Sequence, residues 1–142
     1  MAHPSIQLDQ ILQFGQHQMY VVDGELCVVV LRGDLDDDDL VKIFGTLELV
    51  SRAAGRLTIL CDVGEMGDIT MRARHRLARL GKGYQLHRTQ LFFAGADRAQ
   101  RGSLAVLTAA ARLRSTSDLR VSFVPDRRTG LSIAHGSMAA AN

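Results

Sequence analysis

Five carboxylates fall within six residues of the stretch Gly33-Asp34-Leu35-Asp36-Asp37-Asp38-Asp39-Leu40, a density that could hold a metal, move protons or begin a helix. A calcium loop alternates its ligands, turns at a glycine and ends on a distal bidentate Glu. Here four acids are contiguous, no glycine follows within the run and Leu40 comes straight after. A helix start needs a side-chain acceptor for its free amides and favours negative charge near the positive end of the dipole. Asp36 can cap, and Asp39 stands three residues on, where a capping box has its carboxylate. Asp37 and Asp38 would each add about 0.3–1 kcal/mol at best, less their mutual repulsion. The stretch reads as a helix start with surplus charge, and that surplus offers an acidic surface to a basic partner.

Other constellations give little catalytic chemistry. His3, His17, His75, His87 and His135 have no Ser-x-Gly elbow or cysteine partner nearby, and no His pair stands at a metal-ligand spacing with an acid. Gly81-Lys82-Gly83 is too short for a phosphate loop and reads as a helix stop. Cys27 and Cys61 lie inside the apolar runs CVVVL and LTILC, as buried reduced thiols do, without a metal spacing or a disulfide framework. No catalytic residue, metal or cofactor is assigned, and the chain is expected to act by binding. Asp62 is the acid retained as a site candidate, because it ends a strand where α/β folds place ligands.

These residues need elements to position them. Met19-Tyr20-Val21-Val22 and Leu26-Cys27-Val28-Val29-Val30-Leu31 flank Asp23-Gly24-Glu25, a hairpin signal, and the second run is apolar throughout, as a strand covered on both faces would be. From Asp36 the period becomes helical through Leu40, Ile43, Phe44, Leu47 and Val50, closing at Gly55. A strand over 56–62, a loop over 63–68 and a helix over about 71–81 follow. Then come a strand over 90–95, a helix over about 98–114, a strand over 119–124 and a short helix near 130–134. The order β-β-α-β-α-β-α-β-α predicts a single α/β domain: a mostly parallel five-stranded sheet, an N-terminal antiparallel hairpin and about four helices. Residues 1–10 and 137–142 are expected to be loose.

Charge divides along the chain. Residues 1–68 hold twelve acids against four Lys or Arg, net −8, whereas residues 69–142 hold three against thirteen, net +10. Arg72, Arg76 and Arg79 fall at i, i+4 and i+7 on one helical face, beside an inward stripe of Ala73, Leu77 and Leu80. Such a ridge could face solvent, meet nucleic-acid phosphate, anionic lipid or an acidic protein, or pair with the acidic first helix of the same molecule or of a second copy in a homo-oligomer. Aromatics are 5% of residues and Trp is absent, which supplies no stacking platform for nucleic acid, and no nucleic-acid motif accompanies the arginines.

The segments "GELCVVVLRGDLDDDDLVKIF", "GRLTILCDVGEMGDITMRARHRL", "TQLFFAGAD" and "RVSFVPDRRTGLSIA" together resemble the STAS-like superfamily, over about residues 15–136. That superfamily holds anti-sigma-factor antagonists and a bacterial branch likened to lipid-exchange (CRAL-TRIO) domains. The resemblance rests on a strand leading into Gly33 to Asp39, and on a strand ending in Asp62 that leads to Thr70. It implies a STAS-like fold and a regulatory protein partner in a bacterial cell. In the antagonists a phosphorylatable Ser, usually after an Asp and followed by Ser-Gly, stands at the start of the second helix. Gly67-Asp68-Ile69-Thr70-Met71-Arg72 lacks that pattern, and Thr70 is its only hydroxyl, so Thr70 is the candidate phosphorylation site and otherwise a helix cap. The implied contact surface is residues 64–70 with the helix after it: Asp62, Asp68, Thr70, Arg72, Arg76 and Arg79. The lipid-exchange branch implies the alternative of a carrier for a lipid-like apolar ligand, lined by Phe44, Phe92, Phe93 and Leu107, which are otherwise core.

The 142 residues suffice for one domain with a real core. The amino terminus lacks a signal-peptide pattern and no apolar run approaches a membrane span, so a cytoplasmic protein is expected.

Overall fold

A computed structural model describes residues 11–22, 24–79, 88–114 and 119–141. Ten elements follow in order: β1 (Leu12–Phe14), β2 (His17–Val22), β3 (Leu26–Leu35), α1 (Asp37–Ala54), β4 (Arg56–Ile69), α2 (Met71–Ala78), β5 (Arg88–Ala94), α3 (Arg98–Arg114), β6 (Leu119–Val124) and α4 (Arg127–Ala141). The strands form one sheet in sequence order, with β1–β2 and β2–β3 antiparallel and β3 to β6 parallel.

The sheet has six strands, one more than expected. The addition is β1, three residues with no inward alternation, which exist as a strand only through pairing Leu12 to Met19 and Phe14 to His17. Gly15, at φ 61°, permits the turn between them. A second difference concerns residues 63–68, expected as a loop. They continue β4, because β3 itself runs on to Leu35 and offers parallel partners: Arg32 to Glu65, Gly33 to Met66 and Leu35 to Ile69. Irregularities between Val30 and Arg32 and between Gly33 and Leu35 absorb the changes of register. α4 spans more than the expected 130–134, so residues 137–141 are helical in backbone rather than a loose tail. The end expected for the second helix and the Gly81-Lys82-Gly83 stop lie outside the described residues, as do residues 1–10.

The continuous apolar run of β3 is covered on both faces. Cys27, Val29 and Leu31 join a large core under α1, α2 and α3 with Leu40, Ile43, Leu47, Ala73 and Leu104. Leu26, Val28 and Val30 join a smaller one with Leu60, Phe92, Val124 and Ala134 under α4. Alternation of side chains along each strand separates the two. Both cysteines are buried, and burial pushes each thiol up to about 12, with the Asp62 charge adding to the rise at Cys61. A thiolate is the reacting form, so neither should titrate with a disulfide reagent at pH about 8 until the chain is unfolded in guanidinium, when both should.

Candidate functional site

Among the described residues, parallel strands deliver four helix starts to one edge of the sheet, and each of these starts is capped by a side chain. Asp36 Oδ1 accepts from the N–H of Asp39 at 3.0 Å, Thr70 Oγ1 from that of Ala73 at 3.2 Å, Asp97 Oδ1 from that of Gln100 at 2.8 Å and Asp126 Oδ1 from that of Thr129 at 2.7 Å. Gln100 completes a capping box by accepting the N–H of Asp97 at 2.9 Å. Asp36 thus caps α1 as its spacing predicts. Asp39 does not return to Asp36; its carboxylate lies 3.4 Å from His17 Nε2. Among the four caps, Thr70 alone carries no charge.

The end of β4 is held by the end of β3. The N–H of Asp68 donates to Asp34 Oδ1 at 2.8 Å and the N–H of Thr70 to the Leu35 carbonyl at 3.0 Å. Gly67 lies so close that a Cβ there would meet the Asp34 carboxylate, with backbone atoms of Gly33 and Asp34 at 3.1 and 3.2 Å. Glu65 pairs with Arg32 at 3.1 Å, both well exposed, an arrangement that contributes little to stability.

Asp62 is engaged on both oxygens. Oδ1 accepts the Gly64 N–H at 3.0 Å, and Oδ2 accepts from Arg127 Nε at 2.9 Å, which ties α4 to the centre of the sheet. Burial works against the Arg127 charge, but hydrogen bonds to Asp62 and Tyr20 and their Coulombic attraction outweigh it and hold the guanidinium above its ordinary value. Asp62 and Arg127 therefore form a strut between layers, set back from the Asp68 and Thr70 edge.

The arginine ridge and the acidic run meet within one molecule. Arg76 of α2 grips Asp37 of α1 with two bonds, Nε to Oδ1 and Nη2 to Oδ2 at 3.1 Å, the bidentate geometry that suits guanidinium to carboxylate. Arg74 turns back to donate to the Ile69 carbonyl at 3.0 Å, while Arg72 and Arg79 are exposed. The Arg76 bond outweighs the desolvation that opposes it and, with the charges of Arg76 and Arg72, holds Asp37 below the usual carboxylate range. A depressed carboxyl adds stability above the unfolded value and loses it as pH falls through the folded one. Carboxyl-carbon NMR should show Asp37 titrating below an ordinary aspartate, and Arg76→Ala should return it towards that range.

The four aromatic and aliphatic residues assigned to an apolar cavity do not line one space. Phe93 is buried on the α1, α2 and α3 side, where Phe44 and Leu107 pack, whereas Phe92 is buried on the α4 side. Adjacent residues of a strand point to opposite faces, so a single enclosure cannot use both phenylalanines. Among the described residues no group of three or more His, Cys, Asp or Glu could hold a metal ion, and no helix is long and apolar enough to cross a membrane.

Two residues escaped the reading of the sequence. His17 is buried at the inward end of β2 and bridges β2, β3 and α1; its inward phase with Met19 and Val21 was the available signal. Arg127 follows Asp126 at a helix start, and nothing local announces its bond to a residue 65 positions away.

No family model matches the sequence, and no curated protein matches it. Among solved structures, the anti-sigma-factor antagonist SpoIIAA in its unphosphorylated form superposes with a TM-score of 0.55 at 14% identity, over 84% of this chain and 98% of that one. This is the STAS-like fold. A protein of the DUF3478 family with a SpoIIAA-like fold, from Shewanella loihica, matches at a TM-score of 0.48 and 18% identity, over 80% of this chain and 88% of that one. In the STAS-like fold found here, the hairpin, the parallel strands and the capped helix starts set residues 64–70 and α2 on one edge.

Proposed function

We propose that the chain is a regulatory domain without catalytic activity that binds a protein partner through residues 64–70 and the exposed face of α2. Thr70 carries the reading: it is a hydroxyl cap at the start of α2, in a fold shared with an antagonist known in an unphosphorylated form. A phosphate there would bring α2 the negative charge that Asp36, Asp97 and Asp126 supply to the other helices. Around it Glu65, Asp68, Met71 and Arg72 are exposed, Met71 by 67%. Arg72 and Arg79 are the exposed arginines of α2 and its cap on which this surface is tested. Asp62 and Arg76 act behind it, through Arg127 and Asp37. The setting proposed is the bacterial cytoplasm.

Affinity capture from a bacterial extract, quantified against variants, tests this. Partner recovery should survive Thr70→Ser, and should fall at least tenfold with Thr70→Asp, which keeps a cap while adding charge, and with Arg72→Glu combined with Arg79→Glu. Equal recovery by all of them removes the surface assignment. Native mass spectrometry showing a co-purifying fatty acid or lipid would favour the carrier instead.

A further inference from the structure

His17 is 1% exposed and has no part in the binding surface just described. The N–H of Arg32 on β3 donates to His17 Nδ1 at 3.1 Å. A backbone N–H can only donate, so Nδ1 is unprotonated and the ring proton sits on Nε2. That nitrogen faces the Asp34 carbonyl at 3.1 Å and the Asp39 carboxylate of α1 at 3.4 Å. The β3 segment held this way is the one that holds the candidate surface, since Asp34 Oδ1 receives the Asp68 N–H and the Leu35 carbonyl receives the Thr70 N–H. Of the charged groups on the elements packed against the ring, three stand next to its partners. Asp39 faces it from α1, and on β3 the Asp34 carboxylate is directed to Asp68 and the Arg32 guanidinium to Glu65. The β1–β2 turn supplies only Gly15 and Gln16.

We propose that His17 is a proton-operated clamp on residues 68–70. A second proton has one place to go, Nδ1, where it would oppose the Arg32 N–H, donor against donor. Asp39 compensates the imidazolium charge on the Nε2 side, so the acid form is reached while the Nδ1 bond is lost. Residues 32–35 then loosen, and the supports of Asp68 and Thr70 loosen with them. The biological consequence, control of partner contact by pH, rests on the proposed binding surface, but the coupling belongs to the isolated chain and is measured there.

Nitrogen-15 NMR of the full chain reads the His17 ring, and amide exchange corrected for intrinsic rates reads the segment. The Nε2–H tautomer is expected at pH about 8. Acidification to about 5 should raise local opening at Arg32, Asp68 and Thr70 about fivefold or more, while Phe92 and Phe93 in β5 keep their protection. His17→Gln should abolish the response. Asp39→Asn keeps the Asp36 cap but removes the compensating carboxylate, and should move the transition to lower pH. An Nδ1–H tautomer, constant protection at 68 and 70, an unmoved transition in Asp39→Asn, or simultaneous loss across the sheet would overturn the clamp. Equal partner recovery by the Thr70 and Arg72/Arg79 variants with an intact pH response would count against the binding surface alone.

Discussion

Leu60→Ala is expected to destabilise the fold by about 2–5 kcal/mol, the range for a buried leucine whose cavity cannot fully collapse. Leu60 is 0% exposed and stands at the centre of the smaller core, between Val28, Phe92, Val124 and Ala134. A Cβ added at Gly130 of α4 would lie 2.5 Å from Leu60 Cδ1 and 3.1 Å from Val124 Cγ2, so Gly130→Ala alone should also destabilise, by about 1–3 kcal/mol through overpacking. Both changes act on one volume. The double variant should therefore be more stable than the sum of the singles by about 0.5–3 kcal/mol. Urea unfolding of the three proteins closes the cycle, and simple additivity would show that α4 does not seat on Leu60.

Gly67→Ala is expected to act on the candidate surface itself. The new methyl would displace the Asp34 carboxylate and press on the backbone of Gly33 and Asp34, costing about 1–3 kcal/mol and releasing the Asp68 N–H from its acceptor. Urea unfolding gives the cost, and faster exchange at Asp68 locates it. An unchanged midpoint with Asp68 still protected would mean that Gly67 does not lie against Gly33 and Asp34 at this edge. The Leu60 and Gly67 results are independent, because one concerns the α4 face and the other the far end of the parallel ladder.

The elements with strong local signals were legible. Asp-Gly between β-branched runs announced the β2–β3 hairpin, the apolar period and Gly55 bounded α1, and the continuous run of β3 announced a strand covered on both faces. β1 was not legible, because three residues without inward alternation carry no pattern apart from their partner. The continuation of β4 through 63–69 was not legible either: Gly64 and Gly67 read locally as loop residues, and only the register against Arg32, Gly33 and Leu35 makes them strand.

The candidate site divides in the same way. Thr70 as a cap and the outward arginines of α2 followed from spacing alone, since capping and helical faces are set within a few residues. The partners of the remaining charges did not. Asp37 with Arg76, Asp62 with Arg127, and His17 with Arg32, Asp34 and Asp39 are separated by 39, 65 and 15 to 22 positions. The amino-acid order by itself determined the kind of element at most positions and the division of charge between the halves, because propensity and periodicity act over one or two turns. Tertiary structure alone decided which of those charges meet. The parallel crossovers bring the starts of α1, α2, α3 and α4 to one edge of the sheet, where acids from the first half come within hydrogen-bonding distance of arginines from the second.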